Sequence, residues 1–124
     1  MAGDVTALLD ALFAAIPRGD IDAVEQLYAD DIEVWHNVTG TSMDKAANLK
    51  LLAFWSRTVT GMRYEVLERH TYDGGAMQRH VVHGEANGSV IRAEVCIVFH
   101  VADGRITRIY EYLDPAAVAA VFDH

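Results

Sequence analysis

A chain of 124 residues, 52% hydrophobic and 23% charged, has the balance of one ordinary globular domain, residues 1–124, with room for a single core. Its formal net charge of −8, with Lys and Arg scattered singly, offers no basic stripe to neutralise phosphates and excludes nucleic acid as an expected partner. No apolar run of about 18 residues and no charged-then-apolar leader occurs, so no membrane partner is expected and the cytoplasm is the expected location.

Val5, Leu8, Leu9, Leu12, Phe13 and Ile16 keep helical spacing, with Asp4 placed to cap the start and Pro17 and Gly19 to end the pattern. Asp20 caps a second, shorter helix through Ile21, Val24, Leu27 and Tyr28, closed by Asp30 and Asp31. A short strand over 32–37 and a loop over 39–42 come next. A third helix runs from about Asp44 to Arg57, and its Leu49, Leu51, Leu52, Phe54 and Trp55 cover most of its circumference, which predicts burial on more than one side.

From Met62 the period becomes two, punctuated by Asp73-Gly74-Gly75, Asn87-Gly88 and Asp103-Gly104, all hairpin signals. Four strands are predicted, over about 62–72, 76–86, 89–101 and 105–113. Asp114-Pro115 opens a terminal helix through Val118, Val121 and Phe122. Helices first and a long meander afterwards imply an α+β fold with the helices on one face of an antiparallel sheet. The lone Cys96, between Val95 and Ile97, reads as a buried, inert thiol.

Register decides which residues meet, because a one-residue slip reverses every side chain. If Ala102-Asp103-Gly104 is a three-residue loop, Val101 pairs with Arg105, Val95 sits opposite Glu111, and Glu111 faces the core. If the loop is only Asp103-Gly104, Cys96 sits opposite Glu111 and the carboxylate faces outward. The three-residue loop is preferred, because the shorter one needs an aspartate at positive φ. A two-residue Asn87-Gly88 turn pairs Ala86 with Ser89, placing His80 opposite Val95 and Gln78 opposite Ile97. His80 and Glu111 would then flank Val95, roughly 9.6 Å apart across two strand spacings. Alternation along the first strand groups His36 with Ile32 and Val34, and Trp35 with Asn37 on the other face, unless a bulge reverses them. The outer face would carry Tyr110 and Tyr112 among charges, the look of a homodimer surface.

The order of elements, together with Tyr28-Ala29-Asp30-Asp31, Val34-Trp35-His36-Asn37, Asp103-Gly104-Arg105-Ile106 and Glu111-Tyr112-Leu113-Asp114, resembles the nuclear transport factor 2-like superfamily over nearly the whole chain. It is most similar to the SnoaL-like group, and more distantly to limonene-epoxide hydrolase and ketosteroid isomerase. The resemblance implies a cone-shaped, curved sheet wrapped by N-terminal helices, a cystatin-like arrangement, around an apolar pocket. It places the isomerase's catalytic aspartate on His36, its oxyanion-hole tyrosine on Leu12 and its protonated aspartate on Ile97, which speaks against steroid isomerisation. It places the epoxide hydrolase's arginine, aspartate and final aspartate on Gln78, His80 and Glu111, and its Tyr-x-Asn pair on Trp35 and Asn37.

A carboxylate among Val95, Ile109 and Leu113 would be disfavoured in its charged form and so suited to acid or base work; the alternative is a satisfied buried group bonded to Trp35, Tyr64 or His80. The expected catalytic residues are thus Glu111, His80 and His36. Asn37, Trp35 and Gln78 would position a ligand against walls of Val95, Ile97, Leu12, Leu52 and Trp55. No metal site is expected, since His80 and His83 face opposite sides of a strand, and no cofactor, since no phosphate loop or dinucleotide fingerprint occurs. The function expected is a cofactor-independent isomerase, cyclase or hydrolase acting on a small apolar molecule, or else a ligand-binding protein or dimeric adaptor.

Overall fold

A computed structural model describes residues 2–122. Helix α1 (Ala2–Ala15), helix α2 (Ile21–Leu27), strand β1 (Tyr28–His36), strand β2 (Thr41–Met43) and helix α3 (Lys45–Thr58) lead into β3 (Thr60–Tyr72), β4 (Gly75–Ala86), β5 (Ser89–Ala102) and β6 (Arg105–Leu113), and a 3-10 helix, Pro115–Val121, ends the fold. The six strands form one curved, unclosed sheet in the order β2-β1-β6-β5-β4-β3. All its pairs are antiparallel except β1 with β6, which is parallel.

The expected elements are present, with local corrections. Asp4 lies inside the first turn of α1, where its charge suits the helix dipole. Tyr28 is extended rather than helical, with its N–H bonded back to α2, so β1 begins four residues early. Thr41–Met43 pairs with β1 instead of forming part of a loop. Asp20, Asp44 and Asp114 each cap a helix by accepting from a backbone N–H, those of Ala23, Ala47 and Ala116 respectively. Asp114 caps a 3-10 segment whose Val118 and Val121 are buried, while Phe122 stacks on Phe54 with ring centres 5.7 Å apart. His124 lies outside the described residues.

The core lies between the concave sheet face and the helices. Val5, Leu9, Leu12 and Ile16 of α1 are buried with Ala93, Val95, Ile97 and Phe99 of β5 and with Ile106 and Ile109 of β6. Helix α1 covers β3 and β4, and α3 covers β1. Cys96 belongs to the opposite face, between Arg79 and Tyr112, and is only partly buried; strand alternation overrides its apolar neighbours in sequence. Among the described residues no helix is long and apolar enough to cross a membrane.

The last hairpin departs from both registers that alternation allows. Its loop is the two residues Asp103-Gly104, since Ala102 pairs with Arg105, and Asp103 adopts φ 53° beside Gly104 at 74°. Such a turn matches the right-handed twist of the strands, and aspartate tolerates the left-handed region better than most residues. The register then shifts. Val101 pairs with Ile106 but His100 with Arg108, leaving Thr107 as an extra residue, and Ile97 comes opposite Glu111. A bulge of one residue reverses the faces downstream of it. Ile109, Glu111 and Leu113 therefore face inward after all, through a bulge rather than a longer loop.

Candidate active site

Strand β3 carries a second such device. Val66 pairs with His80 but Glu68 with Arg79, so Leu67 is extra and Arg69 comes opposite Gln78 on the inner face. Gln78 and His80 are buried, at 0% and 1% exposure. They are linked to the helix layer by a chain of hydrogen bonds. The carboxylate Oδ1 of Asp10 accepts from Arg69 Nη1 at 2.6 Å, Arg69 Nε donates to Gln78 Oε1 at 2.7 Å, and Gln78 Nε2 lies 2.9 Å from His80 Nδ1. Phe13 and Tyr64 stand edge-on to the imidazole, with centroids 5.1 and 5.2 Å away. Burial among these rings lowers the pKa of His80 to about 4; the Glu111 charge works against that shift and the Arg69 charge adds to it. His80 is therefore neutral at pH 7.

The other polar group of the inner face gathers around Glu111. The parallel pairing of β1 with β6 brings His36 beside Glu111, and His36 Nε2 is 3.2 Å from Glu111 Oε1, with side chains 14% and 25% exposed. Both residues are thus reachable from solvent. Tyr28 and Tyr64 feel the Glu111 charge. Burial first, and that charge second, raise both phenols well above their ordinary range, so each keeps its proton and offers a neutral donor. Tyr28 donates to Oδ1 of the buried Asn48 at 2.8 Å, while a hydrogen bond with Trp55 partly offsets the shift of Tyr64. Asn48 and Trp55 are seven apart on α3 and so share one helix face.

Three expected residues, Glu111, His36 and His80, are thus on the inner face, but their pairing differs. Glu111 and Gln78 flank Ile97, whereas His80 lies across Val95 from Leu113. Leu12, Val95 and Ile97 are buried in the core, and Leu52 and Trp55 pack partly buried against it. Trp35 lies on the outer face, its ring 6.2 Å from Tyr110 and 5.3 Å from Tyr112. Asn37 continues the β1 ladder with its side chain: Nδ2 donates to Leu113 O at 3.0 Å and Oδ1 accepts from Leu113 N at 2.9 Å. Asn48, Arg69 and Asp10 escaped the sequence reading, and Tyr28 entered it only as a helix residue and part of a family motif. Only Arg69 had a signal of its own, an arginine on a strand facing a glutamine, and that signal depends on the Leu67 bulge.

Two open surface grooves, of about 580 and 400 Å³, lie elsewhere, one between Val90 and the 3-10 helix and one between Arg18 and Arg57. Neither is lined by Glu111, His36 or His80. Among the described residues, no group of three or more His, Cys, Asp or Glu side chains is placed to hold a metal ion.

The SnoaL-like domain model matches residues 9–109. No curated protein sequence matches the chain. Among solved structures, a candidate polyketide cyclase from Xanthomonas campestris pv. campestris is 26% identical with a TM-score of 0.78, over 97% of this chain and 98% of that one. The wild-type IdmH of Streptomyces antibioticus, also a candidate polyketide cyclase, is 19% identical with a TM-score of 0.80, over 96% and 98%. An epoxide hydrolase of the limonene-epoxide hydrolase-like type from M. tuberculosis is 22% identical with a TM-score of 0.78, over 98% and 88%. With a family model spanning most of its length and neighbours that share its helices and open sheet, the chain belongs to the SnoaL-like domain family of the nuclear transport factor 2-like superfamily.

Proposed function

We propose that the chain is a cofactor-independent enzyme that moves protons on a small, mostly apolar carbonyl, polyketide-like or epoxide compound held against the inner sheet face. The observation that carries this reading is the Glu111 carboxylate, on an otherwise apolar strand face, 3.2 Å from His36 and still open to solvent. Glu111 is the general acid or base, His36 its hydrogen-bonded partner, and His80 a second polar group deeper on the same face. Leu52 and Trp55, partly buried, supply apolar surroundings, backed by the core residues Val95, Ile97 and Leu12. Trp35 and Asn37 are left out, because their side chains are engaged on the outer face and in the β1 ladder.

The reaction class is that of an isomerase, cyclase or hydrolase. Neighbours of the same fold include candidate polyketide cyclases and an epoxide hydrolase, and the fold by itself does not choose among their chemistries. Gln78 occupies the position where the resemblance to epoxide hydrolase implies an arginine, yet Arg69 brings a guanidinium to Gln78 from the adjacent strand. Positive charge behind the inner face is retained by a different route.

Glu111→Gln keeps the shape and removes the proton acceptor, so turnover on an active member of a panel of apolar ketones, polyketide mimics and epoxides falls about 10²- to 10⁴-fold while ligand affinity persists. Unchanged turnover in that variant refutes the assignment.

A second reading, a dimeric ligand-binding protein or adaptor, is favoured by the outer cluster of Trp35, Tyr110 and Tyr112. If Tyr110→Ala breaks a homodimer while ligand binding persists, the outer face serves assembly and the inner face serves function.

A further inference from the structure

A guanidinium can only donate hydrogen bonds. Since Arg69 Nε is 2.7 Å from Gln78 Oε1, the oxygen of that amide is turned toward β3 and its NH₂ toward β4's next inward residue, His80. The NH₂ lies 2.9 Å from His80 Nδ1 and itself can only donate, so Nδ1 accepts and carries no proton. The single proton of the ring is then on Nε2. An imidazolium would set an N–H against the NH₂ of Gln78, so the geometry excludes the charged form as well as the other tautomer.

We propose that Arg69 is a positioning residue which, through Gln78, holds His80 as the neutral Nε2–H tautomer, making that histidine a hydrogen-bond donor to a substrate oxygen rather than a base. The role toward substrate rests on the reading of the inner face as the reactive site. Three further observations support it. Asp10 grips the other side of Arg69 at 2.6 Å, so the guanidinium is fixed from α1. The Leu67 bulge is what turns Arg69 inward. Finally, His80 is 1% exposed, so the Gln78 amide rather than bulk water sets which ring nitrogen carries the proton. The inner face then divides its labour: Glu111 takes a proton from carbon next to a carbonyl, the electron pair left behind moves onto the carbonyl oxygen, and His80 Nε2–H hydrogen-bonds that oxygen.

The test uses ligand-free protein with ¹⁵N-labelled histidine and long-range ¹H–¹⁵N NMR. In the wild type, His80 Nε2 gives a protonated-nitrogen shift and Nδ1 an unprotonated one, unchanged from pH 8 to pH 6. A proton on Nδ1, or an averaged pair of shifts, overturns the proposal without any variant having to fold. Arg69→Lys, which still donates, keeps the pattern. Arg69→Met frees the amide to turn, and a mixed pattern follows; the wild-type pattern in that variant overturns the role of Arg69. Gln78→Glu sets a carboxylate against Nδ1 and moves the proton there. Because no substrate is present, failure of Glu111→Gln to slow turnover leaves this result standing, and the reverse holds too.

Discussion

Strand β5 belongs to two hairpins that turn in the same way and end differently. Asn87-Gly88 and Asp103-Gly104 are both two-residue turns with positive φ at each position. After the first, β4 and β5 pair without a shift from Ala86↔Ser89 to Gly75↔His100, so the face of every residue follows from simple alternation. After the second, Thr107 interrupts the ladder and reverses the faces of β6 from there on. Strand β3 is interrupted likewise at Leu67. The regular hairpin supplies Gln78 and His80, and the interrupted strands supply Arg69 and Glu111. In this sheet the charged groups of the inner face arrive on bulges, which is where sheets commonly re-aim a side chain.

Replacing Ile109 by arginine is the harshest way to break this comparison. The bulge turns Ile109 inward, where it is 3% exposed, so Ile109→Arg places an unpaired charge in the core at a cost that rivals the roughly 5–15 kcal/mol by which domains are stable. The expected outcome is loss of a cooperative thermal transition. An Ile109→Arg variant with wild-type stability contradicts the inward facing that the bulge sets.

A milder change acts through the regular hairpin alone. Folded His80 titrates at about 4 against an ordinary 6.5, so between these values the unfolded chain binds the proton that the folded one refuses. Stability is thus fully present above about pH 6.5 and is lost as pH falls toward 4, by up to roughly 3 kcal/mol from this group. Urea titrations at pH 7.5 and pH 5 measure it, and His80→Phe removes this part of the slope. An unaltered slope in the variant means that His80 is charged in the folded state.

The smallest expected effect is on the outer face. Tyr112 is 45% exposed beside Trp35, so Tyr112→Ala changes monomer stability by less than about 1 kcal/mol; under the proposal that this face serves assembly, sedimentation velocity shows a shift from dimer to monomer. A dimer that survives both Tyr110→Ala and Tyr112→Ala moves the interface elsewhere and leaves the inner face untouched.

Local pattern carried the reading of the sequence far. Apolar spacing located α1 and α3, Gly-containing turns located four strands to within a few residues, and the Asn87-Gly88 turn fixed the pairing of His80 with Val95 and of Gln78 with Ile97. These features are short-range: a turn and a period of two or 3.6 are properties of adjacent residues. The family resemblance rested on the same short segments. The inward facing of Glu111 also emerged, although from a three-residue loop that does not form.

The tertiary structure alone decided what the bulges did, because an extra residue leaves no mark in a strand's composition and is positioned by the twist and partners of the assembled sheet. It alone joined Asp10 to Arg69 across 59 residues and Tyr28 to Asn48 across 20, contacts between polar residues that carry no periodic signal. Alternation had already set His36 with Ile32 and Val34 and Trp35 with Asn37 on the other face; the tertiary structure decided that His36 reaches Glu111 and that the Asn37 side chain joins the ladder. Sequence determined which strands exist and where they turn; packing determined which side of them holds the chemistry.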